Sequence, residues 1–340
     1  MGEARPPASW RIALRGRALV AGASLLARLP ERPLLALADL AGDAWYRLAP
    51  ERRRQARRNL ARVVAWMAEH QQGDPRRWAA AHDSRALTQL VHDAFRHSAR
   101  YYLRFARVAA GTPADADQRF LPETPELVDE ALADPAGALF VGLHLGRFEL
   151  AALYFIRQTG RRGVVPTEVV ADPALQAFLV ELRERMGIDI VDVAGARREL
   201  SAALRAGKPV GLVADRDLSG GGIETTFFGH PARLPAGPAL LALETGAVPR
   251  VFGTWEADDG LNHARGRAVP IPDGPSRRAR VEAYLEAQAR AFEEYVAQAP
   301  EQWLAVFHPI WDDLADGAPA QLSQRPRRSG RRPAAPETTA

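Results

Sequence analysis

Between Glu123 and Trp311 the chain alternates short apolar runs with segments of helical periodicity, and this alternation limits the folds that it can adopt. Short apolar runs bounded by Gly, Pro or Asp are typical of buried strands, and longer amphipathic segments are typical of helices. Strands that alternate with helices indicate βαβ units. The sequence therefore predicts an α/β fold with a mixed, mostly parallel sheet and helices on both sides.

The pattern also places the individual elements. Strands are expected at 138–143, 163–166, 188–191, 210–213, 248–254 and 303–309. Helices are expected at 148–158, 172–186, 196–206, 234–245 and 277–299. The Asp172-Pro173 pair is a helix start signal, since Asp caps the first turn and Pro fits its first position.

The flanking regions differ from this middle region in charge and in residue composition. Residues 1–108 contain 20 arginines against 9 acidic residues, and their pattern is helical. Residues 317–340 are rich in Pro, Arg, Ala and Thr, and we expect them to form a disordered basic tail. The resulting division is a membrane-associating helical region at 1–108, an α/β catalytic domain at 109–316 and the tail. A basic face of this kind suits anionic phosphate, in lipid headgroups or in nucleic acid.

Two N-terminal segments raise the question of a membrane. The uncharged stretch at 18–27 has only ten residues, whereas a transmembrane helix needs about 20. The segments 11–29 and 33–48 are instead expected to form amphipathic helices. Such helices can lie in the membrane interface, or they can pack on the core of the protein itself.

Cysteine is absent from the sequence. Disulfides, thiolate metal sites and cysteine nucleophiles are therefore excluded, and the absence suits a reducing compartment.

His144 follows the first predicted strand of the α/β region, and Glu149 comes five residues later. Open α/β sheets place reactive groups at the carboxyl ends of their strands. The two side chains can meet if His144 lies in the turn and Glu149 in the first helical turn, with Gly146 permitting the bend. A carboxylate there would hold the imidazole in one tautomer, as a general base requires. The alternative is a histidine that caps a helix beside a solvated glutamate.

A second group of polar residues follows the strand at 210–213. It consists of Asp215, Arg216 and Asp217, and the glycine-rich turn 220–222 comes next. Charged residues at a strand end beside a glycine run are typical of a substrate-binding loop. The alternative is an exposed loop with an internal salt-bridge cluster, which would contribute little stability.

These strings together resemble a known family. His144-Leu-Gly-Arg-Phe-Glu149 is followed in order by Asp215-Arg-Asp217, Gly222-Ile-Glu224, Phe227-Phe-Gly229, Pro231-Ala-Arg233 and Pro235-Ala-Gly-Pro238. The series is similar to that of the bacterial lipid A biosynthesis acyltransferases, and closest to their phosphatidylinositol mannoside acyltransferase branch. The resemblance covers about residues 10–312. It implies an α/β fold, an acyl-CoA or acyl carrier protein donor, no metal or other cofactor, and peripheral attachment to the cytoplasmic face of the membrane.

The resemblance also implies roles for single residues. His144 would be the general base that activates an acceptor hydroxyl, with Glu149 as its partner. Independently of the resemblance, we expect backbone N–H groups at the N-terminus of the helix that begins near Gly146 to stabilise the oxyanion. Further site residues would be a second carboxylate near the histidine (Glu224), a polar pair in the groove (Glu168 and Arg183), a phosphate ligand (Arg233) and the substrate-binding residues Asp215, Arg216 and Asp217. The mannoside branch usually has Asp where this chain has Glu149, and the lipid A branch has Glu, so the glycolipid or lysophospholipid acceptor stays open.

Three other functions compete with this hypothesis. A catalytically silent lipid-binding protein of the same fold would lack thioester release. A basic nucleic-acid-binding protein is suggested by a pI near 9.8 and by the arginine-rich stretch at 52–62. That stretch has no recognised nucleic-acid motif beside it, so no nucleic-acid partner is expected. A hydrolase would be expected to carry a Gly-x-Ser-x-Gly nucleophile elbow, which is absent.

Overall fold

The computed structural model describes residues 15, 18, 21–26, 28–110, 119–167, 172–193, 195–217 and 220–315. They form a seven-stranded sheet with helices on both faces, and a separate two-stranded hairpin. The predicted α/β fold class is confirmed.

The sheet is mostly parallel. Its strands are β1 (Phe120–Pro122), β2 (Leu139–Gly142), β3 (Gly163–Thr167), β4 (Ile188–Asp192), β5 (Val210–Val213), β8 (Pro249–Glu256) and β9 (Asn262–Ala268). They lie in the order β1-β9-β8-β2-β5-β3-β4, and β8–β9 is the antiparallel pair. The hairpin consists of β6 (Ile223–Phe227) and β7 (His230–Leu234).

Ten α-helices lie within the described ranges. They are α1 (Glu31–Leu48), α2 (Pro50–His70), α3 (Pro75–Trp78), α4 (Ser84–Ala110), α5 (Glu126–Ala133), α6 (Glu149–Thr159), α7 (Pro173–Arg185), α8 (Ala196–Arg205), α9 (Gly237–Thr245) and α10 (Arg277–Val296). The start signal of α7 works as predicted, because the Asp172 carboxylate accepts the N–H groups of Ala174 and Leu175. In that same described part, no helix combines the length and hydropathy needed to cross a bilayer.

The strands in the middle of the sheet are apolar on both faces because both are covered. Leu139 and Val141 of β2 point into the main core together with Val210, and Phe140 packs on the opposite face with Phe155 of α6. Such two-sided burial explains why the strands are short apolar runs without polar alternation.

The helices α2 and α4 share the main core with the sheet. Leu60, Val63 and Met67 of α2 recur at helical spacing, are fully buried, and belong to the same cluster as Leu139. The membrane association predicted for residues 1–108 stays a prediction. About half of the predicted helix 11–29 and all of the tail 317–340 lie outside the described residues.

Helix α1 is fixed to α4 by close packing and by charge pairs. Gly42 allows the approach, since a Cβ atom there would lie 2.7 Å from the Arg96 Cα atom. Arg96 binds Asp43, and Arg100 binds Asp39, each through two hydrogen bonds. These pairs set the rotation of α1 about its own axis.

The arginine-rich stretch of α2 is largely used inside the protein. Arg52 and Arg58 donate to the carbonyls of Phe307 and Leu314, and Arg62 forms a two-bond ion pair with Asp313. These side chains attach α2 to the C-terminal segment. The stretch therefore gives little support to the nucleic-acid hypothesis.

Two element predictions are wrong, and two strands of the sheet, β1 and β9, are not predicted. The segment predicted as a strand at 303–309 instead contains the 3₁₀ turn Leu304–Phe307. Its strand-like pairing in the described structure is a single antiparallel bridge between Trp303 and Leu145. The turn-rich stretch after the glycines is the β6–β7 hairpin, so α9 begins at Gly237 instead of residue 234. Strand β9 is missed because its polar sequence, Asn-His-Ala-Arg-Gly-Arg-Ala, lacks the apolar run that marks the others.

Candidate active site

The turn after β2 carries His144, and the neighbouring strand β5 brings Asp215 to the same place. The two strands are parallel, with Gly142 opposite Val213 in their register. His144 and Asp215 each lie two residues beyond that pair, so they lie side by side at the carboxyl ends of these two central strands. His144 Nδ1 lies 2.7 Å from Asp215 Oδ1, and the His144 backbone N–H donates to Oδ2 at 3.0 Å.

Asp215 is fully buried and held by a third donor. The Trp303 indole N–H donates to Asp215 Oδ2 at 2.8 Å. Burial alone would raise the pKa of Asp215, but the charge and hydrogen bond of His144, with the bond from Trp303, hold that pKa below its ordinary value. A carboxylate accepts the Nδ1 proton of the imidazole, which leaves the lone pair on Nε2. The arrangement therefore presets the imidazole as a base.

The backbone around His144 is fixed from several sides. The Leu304 N–H donates to the His144 carbonyl at 2.7 Å, and the Gly146 N–H donates to the Gln302 carbonyl at 3.1 Å. Gly146 has a φ of +56°, and a Cβ atom there would lie 2.5 Å from the Thr254 carbonyl oxygen. Only glycine fits this position. The Gly146 N–H is already bonded and is itself not free to stabilise an oxyanion, whereas the role expected for the N–H groups at the N-terminus of the helix that follows stays a prediction.

A cavity of about 520 Å³ opens beside His144. It runs between α6 and the sheet face that carries Phe140, and ligand pockets usually measure roughly 300–1,000 Å³. Most of its wall is apolar and includes Phe140, Phe148, Ala152, Phe155, Val165 and Phe252. The charged side chains and histidines of the wall are His144, Glu149, Arg183, Arg216, Arg265 and His308. A long apolar chain with a polar reacting end matches this shape.

Glu149 lies in the same cavity wall but has a different partner. It begins α6, and its buried carboxylate accepts the hydroxyl of Tyr101 at 2.5 Å. Burial raises the pKa of Glu149, against the effect of that hydrogen bond and of the nearby charges of Arg183 and His144. Burial and the Glu149 charge raise the pKa of Tyr101 far above its ordinary value, so the phenol keeps its proton and remains the donor.

Comparison with known proteins shows the family of this chain. A family model described as bacterial lipid A biosynthesis acyltransferase matches residues 9–312. The chain belongs to this acyltransferase family. A phosphatidylinositol mannoside acyltransferase of Mycolicibacterium smegmatis is 30% identical over 328 residues, which cover 92% of this chain and 98% of that protein. Another, from Mycobacterium tuberculosis, is 32% identical over 203 residues, 58% of this chain and 62% of that protein.

The resemblance inferred from the motifs is thus confirmed, and the chain is an acyltransferase. In this acyltransferase the partner on Nδ1 differs from the one predicted. The sequence assigns Glu149 to that position because it is near His144 in the chain, whereas the structure places Asp215 there. The reason is the parallel register of β2 and β5, which single-sequence spacing does not contain.

The other predicted site residues of the acyltransferase separate into two groups. Arg183 and Arg216 line the cavity with His144, as a substrate-binding role requires. Asp217 instead accepts the N–H of Gly222 at 2.6 Å and stabilises the glycine turn. Glu168 lies outside the described residues.

The hairpin carries the remaining two. Glu224 and Arg233 are paired in the β6–β7 register and lie on the exposed face, because Thr225 and Phe227 alternate with them into the core. Neither is part of the described cavity wall. Arg233 also donates to the Gly222 carbonyl at 3.0 Å. The structure thus does not bring Glu224 into the cavity wall beside His144.

Sequence reasoning missed Tyr101, Trp303 and His308 of the acyltransferase site. Burial and the charges of Arg216 and Arg52 lower the pKa of His308 to about 4, so this second imidazole of the cavity wall is neutral. Tyr101 is far from the motif in the chain, on a helix of ordinary amphipathic pattern. The only sequence signal near Trp303 was an apolar run, which indicates burial and not a hydrogen bond to Asp215.

Proposed function

We propose that this acyltransferase moves a fatty acyl chain from a thioester, acyl-CoA or acyl carrier protein, to a hydroxyl of a membrane glycolipid. The observation that carries the proposal is an imidazole fixed by a buried carboxylate on the wall of a largely apolar cavity. The acceptor class is supported by the relatives, which are named for phosphatidylinositol mannoside.

In the proposed mechanism, His144 Nε2 removes the proton of the acceptor hydroxyl while its oxygen attacks the thioester carbonyl carbon. The C–S bond then breaks, and the leaving sulfur takes the proton from Nε2. Asp215 stabilises the imidazolium that exists between the two steps, and general-base catalysis of this kind is typically worth about 10²–10⁴-fold.

The developing oxyanion needs a positive partner other than the Gly146 N–H. The arginines in the described cavity wall are Arg183, Arg216 and Arg265, and Arg265 is paired with Glu123. We assign this role to Arg183 and Arg216, whose charges act on Glu149 and His308 of the same wall. Glu149 would be a second carboxyl of the site, held by Tyr101 beside the position of the acceptor hydroxyl. The His144–Glu149 dyad predicted from the sequence stays a hypothesis that mutation can test against His144–Asp215.

The proposed location is the cytoplasmic face of the membrane, to which the protein would attach peripherally. One face of α1 is apolar and exposed, and we call it the apolar stripe; it consists of Pro33, Leu37, Leu40, Ala44 and Leu48. Leu37, Leu40 and Leu48 are 61, 64 and 81% exposed. An exposed stripe of this kind on a helix flanked by arginines suits the interface of an anionic bilayer.

The test is acyl transfer by purified protein to glycolipid in vesicles, with product detection by mass spectrometry. The His144→Ala protein should remain folded and lose transfer by at least about 10²-fold. His82→Ala is the matched control, because His82 is an exposed histidine in another part of the chain. Transfer at the wild-type rate by His144→Ala would refute the proposal. Free fatty acid as the wild-type product would favour a hydrolase, and no thioester release would favour a silent lipid-binding protein.

A further inference from the structure

Arg147 lies in the same turn as the proposed base and belongs to a cluster of five charged side chains, which we call the arginine cluster. Arg104 donates through Nε to Glu31 at 3.0 Å and also binds Glu256. Arg119 binds the second oxygen of Glu31 at 2.5 Å. The charges of all four of these residues act on Arg147.

The cluster holds three cations and two anions, so one positive charge is in excess. Glu31 and Glu256 are already bonded to Arg104 and Arg119. In the described part of the chain, the Arg147 guanidinium forms neither a hydrogen bond nor an ion pair. Burial and the charge of Arg104 lower the pKa of Arg147 to about 10, as expected for a cation without a counter-ion of its own. Holding such a group in a half-buried place is costly unless an anion binds there.

The position of the cluster connects the reacting end of the site with the apolar stripe. Glu31 is the first residue of α1, the helix that carries the stripe. The Glu256 backbone N–H donates to the Gln302 side chain, and the Gln302 carbonyl accepts the Gly146 N–H. The cluster therefore links the N-terminal end of α1 to the turn that carries the base.

We propose that the arginine cluster binds a phosphate ester group of a substrate, with Arg147 as its main ligand. Guanidinium is the side chain best matched to phosphate, because its N–H groups form paired, charge-assisted hydrogen bonds. The inference rests on the proposed function, in which both substrates can carry phosphate. The group is either the phosphodiester of the glycolipid acceptor or a phosphate of CoA.

Equilibrium binding without turnover tests the site. Four probes separate the two sources: dihexanoyl phosphatidylinositol, the phosphate-free dihexanoylglycerol, CoA, and the phosphate-free pantetheine. Arg147→Gln should weaken the binding of one phosphate-bearing probe by about 10- to 100-fold and leave its phosphate-free counterpart unchanged. Loss with the phosphatidylinositol probe assigns the acceptor phosphate, and loss with CoA assigns the donor phosphate.

Control variants test whether the loss of affinity is specific to the Arg147 guanidinium. Arg147→Lys should restore part of the affinity, and Arg278→Gln, at a side chain that is 84% exposed on α10, should bind every probe like the wild type. If Arg147→Gln does not fold, Arg119→Gln replaces it, since that side chain is 47% exposed. Wild-type binding of all four probes, or equal weakening with and without phosphate, would overturn the inference. Because no catalysis is measured, this result is separate from the fate of the proposed function.

Discussion

Replacing Asp215 by Asn separates the pairing seen in the structure from the pairing expected from the motif. Asp215 Oδ2 accepts two donors, the His144 backbone N–H and the Trp303 indole N–H, whereas Oδ1 faces only Nδ1. The asparagine oxygen should take the Oδ2 position, because its NH₂ group would otherwise face two donors. The NH₂ group then faces Nδ1 and forces the proton to Nε2, which removes the base. The acyl-transfer kcat should fall by about 10²–10⁴-fold, with little change in the donor KM.

The matched comparison is Glu149→Gln, assayed in the same vesicles with labelled acyl-CoA. The structure predicts a smaller loss for Glu149→Gln than for Asp215→Asn, because Glu149 is bonded to Tyr101 and not to Nδ1. ¹⁵N NMR of the His144 ring gives an independent readout, since the protonated nitrogen should change from Nδ1 to Nε2 in Asp215→Asn. A wild-type rate for Asp215→Asn, or an unchanged tautomer, would refute the reasoning.

Three further predictions concern stability. Gly146→Ala should destabilise the fold by more than about 2 kcal/mol and abolish transfer, whereas Gly160→Ala, with a similar φ of +64° but no atom within 4 Å, should cost only about 1–2 kcal/mol in chemical denaturation. Burial raises the pKa of Glu293 from 4.5 to about 7, so the contribution of this group to stability is complete below pH 4.5 and is lost as the pH rises through 7. The free energy of unfolding of Glu293→Gln should therefore exceed that of the wild type by about 3 kcal/mol at pH 8, and the two should be equal at pH 4. Arg62→Ala should lower the unfolding free energy by about 3 kcal/mol, because it leaves the Asp313 carboxylate without its two-bond partner, and an unchanged urea midpoint would contradict this.

Much of the fold could be predicted because its signals are local. The apolar runs of β2 and β5, and the Asp172-Pro173 start of α7, depend on neighbours in the chain and therefore appear in the sequence. The position of His144 at the carboxyl end of a buried strand follows from the same local pattern. The placement of Asp215 beside it could have been suspected, since both residues follow a short buried strand at a similar offset.

The rest depends on contacts between distant segments. Which carboxylate reaches Nδ1 is decided by the β2–β5 register, and an i, i+5 spacing cannot reveal it. Trp303 was expected in a strand because apolar runs favour strands, but the segment forms turns that bond to the backbone of residues 144–146. The charge excess at Arg147 is invisible in the sequence, since it depends on which arginines find carboxylates.

The ion pairs between α1 and α4 have a consequence for handling the protein. Asp39 and Asp43 prevent α1 from rolling, so Leu37, Leu40 and Leu48 cannot turn inward when no lipid is present. In aqueous buffer the exposed leucines of neighbouring molecules should associate with one another. Aggregation should therefore rise with protein concentration and disappear when a mild detergent is added.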